Sequence, residues 1–240
     1  MATFVLIPGA GSGPWMWHLV VAELERRGHE GVAVDLPCED AAAGLAEYTD
    51  ATVAAIGDRK DVVVVAQSLG GFTGPLVCER VPVDLLVMLA AMIPKPGETP
   101  GEWWANTGHD EAIRDLIARQ GPMRNWGPEG FIDAFLHDVD PALAEESGRH
   151  VREQSDGPFG APWPLDAWPD VPTRVLIGTE DHFFPADFQR RVTRERLGIT
   201  PDEIATSHMP MLARPAELTE RLIAYHAALG ADVATASGGE

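Results

Sequence analysis

Ser68, Asp181 and His208 are the residues whose types and order could support nucleophilic catalysis in this chain. A serine hydroxyl is a weak nucleophile at neutral pH. It becomes a strong one when an imidazole takes its proton, and the imidazole needs a carboxylate to hold its tautomer and stabilise the cation that forms. Ser68 lies in Ala66-Gln67-Ser68-Leu69-Gly70, directly after the apolar run at residues 62–66. Small residues two positions either side of a serine let a strand and the next helix approach closely at a sharp turn. A serine N-cap on an ordinary strand-to-helix turn would use the same residue type. The downstream residues separate these readings. "RVLIGT" is followed by Glu180-Asp181-His182, and "SHMPMLARPAEL" sets His208 in a loop before a helix starting near Pro215. Serine, acid, histidine is the chain order in which a triad built on such a turn occurs. The serine therefore reads as a nucleophile.

Other titratable residues fit less well. Glu180 precedes Asp181 and is the alternative acid. His182 adjoins the acid and reads as a pocket or solvent-facing residue. His18, His29 and His226 lie on or beside predicted helices, where packing or surface roles are the default, whereas His109, His137 and His150 fall in a region that could touch a substrate. An acyl-transfer site also needs two N–H donors for a developing oxyanion. Leu69, following the nucleophile at a helix N-terminus, is one expected donor, and Ala10 in "PGAGSGPW" is the other. The glycines there let the backbone pass close to a substrate. A dinucleotide loop is the rival reading, but Gly9-x-Gly11-x-Gly13 lacks the GxGxxG spacing.

The elements that must hold these residues alternate along the chain. Strands are predicted at 3–7, 31–37, 62–66, 84–93 and 173–179, and helices at 15–29, 45–58 and 70–81. The run at 62–66 is continuously apolar, as expected for the middle of a parallel sheet covered on both faces. The core is thus predicted to be doubly wound α/β, from 1–93 and 171–230. Residues 94–170 hold ten of the twenty prolines and five of the seven tryptophans, with helical patterns at 110–120, 128–137 and 141–154. A crossover needs only about a dozen residues, so this stretch is predicted to be an inserted helical cap, its tryptophans shaping a pocket. Residues 231–240 are small and polar and are predicted to be a disordered tail.

Composition bounds the partners. With 37 acidic against 18 basic side chains the net charge is −19, which opposes nucleic acid or an anionic membrane as partner. Two cysteines, Cys38 and Cys78, make no disulfide framework or metal spacing. The apolar run after the N-terminus is too short for a leader or a membrane span, so a cytoplasmic protein without cofactor or metal is expected, as monomer or homodimer.

"FVLIPGAGSGPWMWHLV", "AQSLGG", "IGTEDHFFPADFQRR" and "SHMPMLARPAEL" together resemble the α/β-hydrolases, and more narrowly the plant methylesterase and hydroxynitrile lyase group with its bacterial esterase relatives. The resemblance covers nearly the whole chain outside the cap. It implies the α/β-hydrolase fold and favours Asp181 over Glu180 as the acid. Lyases of the group carry a threonine in the oxyanion loop and a lysine after the histidine. Here Gly9 and Met209 stand at those places, as in the esterases, and both are expected to line the substrate site together with Trp126 from the cap. Pro8 replaces the histidine that usually precedes the glycine of the first loop, which puts the position of the Ala10 donor in question. The implied activity is a serine carboxylesterase acting on a small hydrophobic or aromatic ester through an acyl-enzyme. A lyase-type reaction and a binding protein with a vestigial triad are the alternatives.

Overall fold

In the computed structural model, which describes residues 1–121 and 133–236 of the chain, six strands form one sheet in the order β2-β1-β3-β4-β5-β6, every neighbouring pair parallel. They are β1 (Thr3–Ile7), β2 (Glu30–Ala33), β3 (Val62–Gln67), β4 (Leu85–Leu89), β5 (Thr173–Gly178) and β6 (Asp202–Ile204). β1, β3 and β4 are buried along their whole length. Their side chains divide by parity: Val5, Ile7, Val64 and Ala66 face one core with Tyr48 and Phe72, whereas Phe4, Leu6, Val63 and Val65 face another with Leu24 and Leu222. This is why the sequence reads as unbroken apolar runs, since both faces of the sheet are covered. Each such Val, Leu, Ile or Phe side chain stabilises the fold by about 1.5–3 kcal/mol.

The covering helices are α1 (His18–Arg26), α2 (Leu45–Ile56), α3 (Gly70–Cys78), α7 (Ala186–Leu197) and α9 (Pro215–Ala236); α8 (Pro210–Ala213) is one turn before the last of these. A 3-10 turn at Pro14–Trp17 leads into α1. The final helix continues to Ala236, past residue 231, where the sequence suggests a disordered tail; residues 237–240 lie outside the described residues. β6 has no counterpart among the predicted strands. Three residues are too few to show a period, and its pairing of Leu176 with Asp202 and Gly178 with Ile204 is a tertiary event.

Between β4 and β5 lie α4 (Pro100–Thr107), α5 (His109–Gln120), a helical turn at 133–135 and α6 (Pro141–Gly148). Thr99 and Glu102 cap α4 reciprocally, and Asp140 accepts from Ala142 N and Leu143 N at the start of α6. The ends of this stretch are built into the core. Trp103 and Trp163 are fully buried and donate their indole N–H groups to Ile93 O (3.1 Å) and Phe72 O (3.2 Å). Glu98 and Arg196 form an ion pair whose side chains are 4% and 3% exposed, Nη2 lying 2.9 Å from Oε1. Burial pushes the Glu98 carboxyl up, but Arg196, Asn106 and the Lys95 N–H together hold it below its ordinary range.

The chain runs from β1 outward to β2 and then returns to place β3 on the other side of β1. At such a switch point two adjacent loops diverge and leave a crevice at the strand ends. Here those loops are Pro8–Gly13 after β1 and Ser68–Leu69 after β3.

Candidate active site

Ser68 occupies a tight turn between β3 and α3. Its φ is +51°, one of three non-glycine residues with positive φ among the described residues, a conformation that costs on the order of 1–3 kcal/mol. The turn is held by three backbone bonds: Ser68 N donates to Leu89 O (3.3 Å), and Ser68 O accepts from Gly71 N (3.0 Å) and Met92 N (2.9 Å). Close packing makes small neighbours obligatory. A Cβ on Gly70 would lie 3.0 Å from Ile7 Cγ2 and Pro8 O, and one on Gly74 would lie 2.8 Å from Ala66 Cβ. The N-cap of α3 is Leu69, with no side-chain cap bond. The serine is therefore not capping the helix.

Asp181 and His208 meet 27 residues apart in sequence. His208 Nδ1 lies 2.7 Å from Asp181 Oδ2, and the two residues are 1% and 2% exposed. The carboxylate is fully partnered. Its Oδ1 accepts from Phe183 N and Phe184 N, both at 2.8 Å, and its Oδ2 also accepts from Gln189 Nε2 at 3.3 Å. These donors leave the carboxylate one orientation. With the proton on Nδ1 directed at Asp181, His208 Nε2 is the basic nitrogen; it is buried and has no hydrogen-bond partner among the described residues. Glu180 is exposed, and only its backbone takes part, its carbonyl meeting His137 Nε2 at 2.8 Å.

Ser68 and His208 line one cavity of about 140 Å³, together with Gly9, Ala10, Gln67, Met209 and, from the insertion, Phe135, Leu136, Ser147 and Val151. The N–H groups of Ala10 and Leu69 make no hydrogen bond with any described residue; Ala10 lines the cavity with Ser68, whereas Leu69, next in the chain to Ser68, is not among the lining residues. Gly9 is glycine for steric reasons: a Cβ there would lie 2.5 Å from Gln67 Oε1 and 2.9 Å from Ser68 Cβ. Met209, 6% exposed, forms an apolar wall beside His208. No group of three or more His, Cys, Asp or Glu residues that could hold a metal ion is found among the described residues, and no helix among them is long and apolar enough to cross a membrane.

The sequence pattern of the alpha/beta hydrolase family matches residues 4–221. The chain belongs to that family. As an α/β-hydrolase it is 38% identical to the Probable esterase PIR7A of Oryza sativa subsp. indica, covering 92% of this chain and 95% of that protein. It is 28% identical to Methylesterase 7 of Arabidopsis thaliana, with 92% and 94% covered. The crystal structure of polyneuridine aldehyde esterase superposes with a TM-score of 0.78 at 22% identity, over 94% of this chain and 99% of that one. That fold likeness agrees with the six parallel strands described above.

Several residues that hold the site in this α/β-hydrolase carry no local sequence signal. Gln189, on α7, donates from one amide nitrogen to Asp181 Oδ2 and to Phe184 O (2.6 Å). The insertion touches the loops that bear Ala10, Asp181 and His208. Asp138 Oδ2 accepts from Ser207 N (3.0 Å) and Phe135 O from Ser207 Oγ (2.8 Å), one residue before His208. His137 stacks on His182 with ring centres 4.1 Å apart, and His182 Nδ1 meets Asp133 O at 2.9 Å. His109 Nε2 donates to Phe183 O at 2.8 Å, and burial lowers its basicity. His109, His137, His150 and His182 are thus tied to protein groups and are absent from the cavity lining. The described tryptophans of the insertion are also absent from that lining, against the expectation that they shape the pocket; Trp103 and Trp163 anchor the insertion instead. Trp126 lies outside the described residues.

Proposed function

We propose that the chain is a serine carboxylesterase that hydrolyses small, uncharged hydrophobic or aromatic esters through an acyl-enzyme. The single observation that carries this reading is the 2.7 Å Asp181–His208 bond, with the opposite imidazole nitrogen unpartnered in a cavity shared with a strained Ser68. His208 Nε2 takes the Ser68 proton as Oγ bonds to the ester carbonyl carbon. The oxyanion of the tetrahedral intermediate accepts from Ala10 N–H and Leu69 N–H, and Asp181 stabilises the imidazolium. His208 then returns the proton to the departing alcohol. A water molecule deprotonated by His208 attacks the acyl-enzyme and releases the acid with Ser68 restored.

The cavity supports the substrate class. Apart from His208, the described lining residues carry no titratable side chain, and Met16, Phe135, Leu136, Phe183 and Met209 make it largely apolar. Its volume of about 140 Å³ is close to that of an engineered apolar cavity of about 150 Å³ that takes up benzene. A lyase releasing cyanide would need a counter-charge beside the base, and Met209 supplies none. Stopped-flow release of p-nitrophenol from its acetate ester tests the proposal. A stoichiometric burst that a serine-directed phosphonate abolishes is expected, with no cyanide from mandelonitrile above the uncatalysed rate. Absence of turnover with intact substrate binding would instead favour a binding protein.

A further inference from the structure

The loop that carries the Ala10 donor is held by a residue far away in sequence. Gln154 Oε1 accepts from Gly11 N at 3.1 Å, and Arg152 N donates to Gly11 O at 2.9 Å, so both polar groups of Gly11 are bonded to the segment after α6. The Gln154 amide has one consistent orientation. Its nitrogen donates to Ser155 O (2.9 Å) and meets Tyr48 Oη at 3.0 Å, which leaves only the oxygen for the Gly11 N–H. Tyr48 is 1% exposed, and burial pushes its phenol up, so it stays neutral. The contact leaves no space: a Cβ on Gly11, at φ +61°, would lie 3.0 Å from Arg152 O, and one on Gly13 would lie 3.3 Å from Arg152 Cδ. Arg152 in turn is bonded to Asp35, Glu39 and Leu36 O. The loop holds three glycines, whose backbones are intrinsically free, and its local side-chain bond is a long one, Ser12 Oγ to Ala10 O at 3.4 Å.

The geometry points to Gln154, backed by Tyr48, as a positioning residue that fixes the oxyanion loop and so aims the Ala10 N–H at the transition state. This rests on the esterase reading above. An oxyanion donor acts only if it stands about 3 Å from where the charge develops, and loss of one donor costs about 10²- to 10³-fold. A donor that is misaimed rather than removed should cost less, roughly 10- to 100-fold in kcat.

Gln154→Met keeps the side-chain length and removes every polar contact, whereas Tyr48→Phe removes only the hydroxyl behind the amide. Both are compared with wild type on p-nitrophenyl acetate, with thermal midpoints and affinities for a trifluoromethyl ketone, whose serine adduct bears an oxyanion, and for acetate. The expected result for Gln154→Met is the 10- to 100-fold loss in kcat at nearly constant KM, with matching loss of ketone affinity, unchanged acetate affinity and a folded protein. Tyr48→Phe should show the same pattern more weakly. Unaltered kcat and ketone affinity in a folded Gln154→Met protein would overturn the inference, as would a loss confined to KM. If Gln154→Met fails to fold, Tyr48→Phe decides by the same two readouts. Labelling of wild-type Ser68 by a fluorophosphonate is the separate control. Absence of labelling would remove the esterase reading itself, independently of Gln154.

Discussion

The two walls of the cavity are built differently. The core wall, from Gly9, Ala10, Gln67, Ser68, His208 and Met209, carries the hydroxyl of Ser68, the imidazole of His208 and the N–H of Ala10. It is held by short buried bonds: three backbone bonds around Ser68 and four on the Asp181 carboxylate. The insertion wall, from Phe135, Leu136, Ser147 and Val151, presents mainly apolar surface, and Val151 is 47% exposed at the rim. One wall should therefore set whether an ester reacts, and the other which ester is preferred. The insertion is not independent of the chemistry, because its backbone and its Asp138 and Gln154 side chains grip the loops of the opposite wall.

Breaking the core wall should have the largest effect. Ser68→Ala should remove turnover by about 10⁴- to 10⁶-fold while the circular dichroism spectrum stays that of the wild type. Residual activity near wild type in a folded variant would move the chemistry to another residue. Next comes the acid: Asp181→Asn should cost about 10⁴-fold in kcat, whereas exposed Glu180→Gln should change it only a few-fold. The reverse order in steady-state kinetics would make Glu180 the acid.

The anchors of the insertion sharpen the comparison through stability. Trp103→Ala removes a fully buried side chain and its bond to Ile93 O. It should destabilise the fold by about 3–5 kcal/mol, lowering the thermal midpoint by roughly 10 °C for a chain of this size. Glu98→Gln should cost about 3 kcal/mol at neutral pH by leaving Arg196 buried without its counter-charge. Glu98 has a depressed folded-state pKa. Its contribution is thus present above the unfolded value, about 4.3, and is lost as pH falls through the lower folded value. The gap in midpoint between wild type and Glu98→Gln should accordingly narrow as the pH is lowered below about 4; a gap independent of pH would show that the charge is not the source.

The smallest effect belongs to the insertion wall. Phe135 stands 4.4 Å from Phe183 and 5.3 Å from His208, centre to centre. Phe135→Leu should change the kcat/KM ratio of p-nitrophenyl benzoate to acetate by about 10-fold, leaving acetate turnover within a few-fold of wild type. A conserved ratio would assign selectivity to other parts of the lining.

The order Ser68, Asp181, His208, the small residues around the serine and the two-sided burial of β1, β3 and β4 are all written locally. A sharp strand-to-helix turn admits only small neighbours, and a sheet covered on both faces must be apolar at every position, so each leaves a contiguous mark. Tertiary structure alone decided what holds those residues. The three-residue β6, Gln189 behind Asp181, Asp138 on Ser207, and Gln154 on Gly11 join points as much as 143 residues apart. A polar side chain that reaches a distant backbone group has no period and needs no particular neighbours, so its role exists only once the chain is folded. The tryptophans show the same limit. Their number suggests that 94–170 is a cap whose tryptophans shape a pocket, but whether an indole faces a cavity or an interior carbonyl depends on how that segment docks. For Trp103 and Trp163 docking buried the rings in the core, where a large apolar surface is removed from water and each N–H still finds an acceptor.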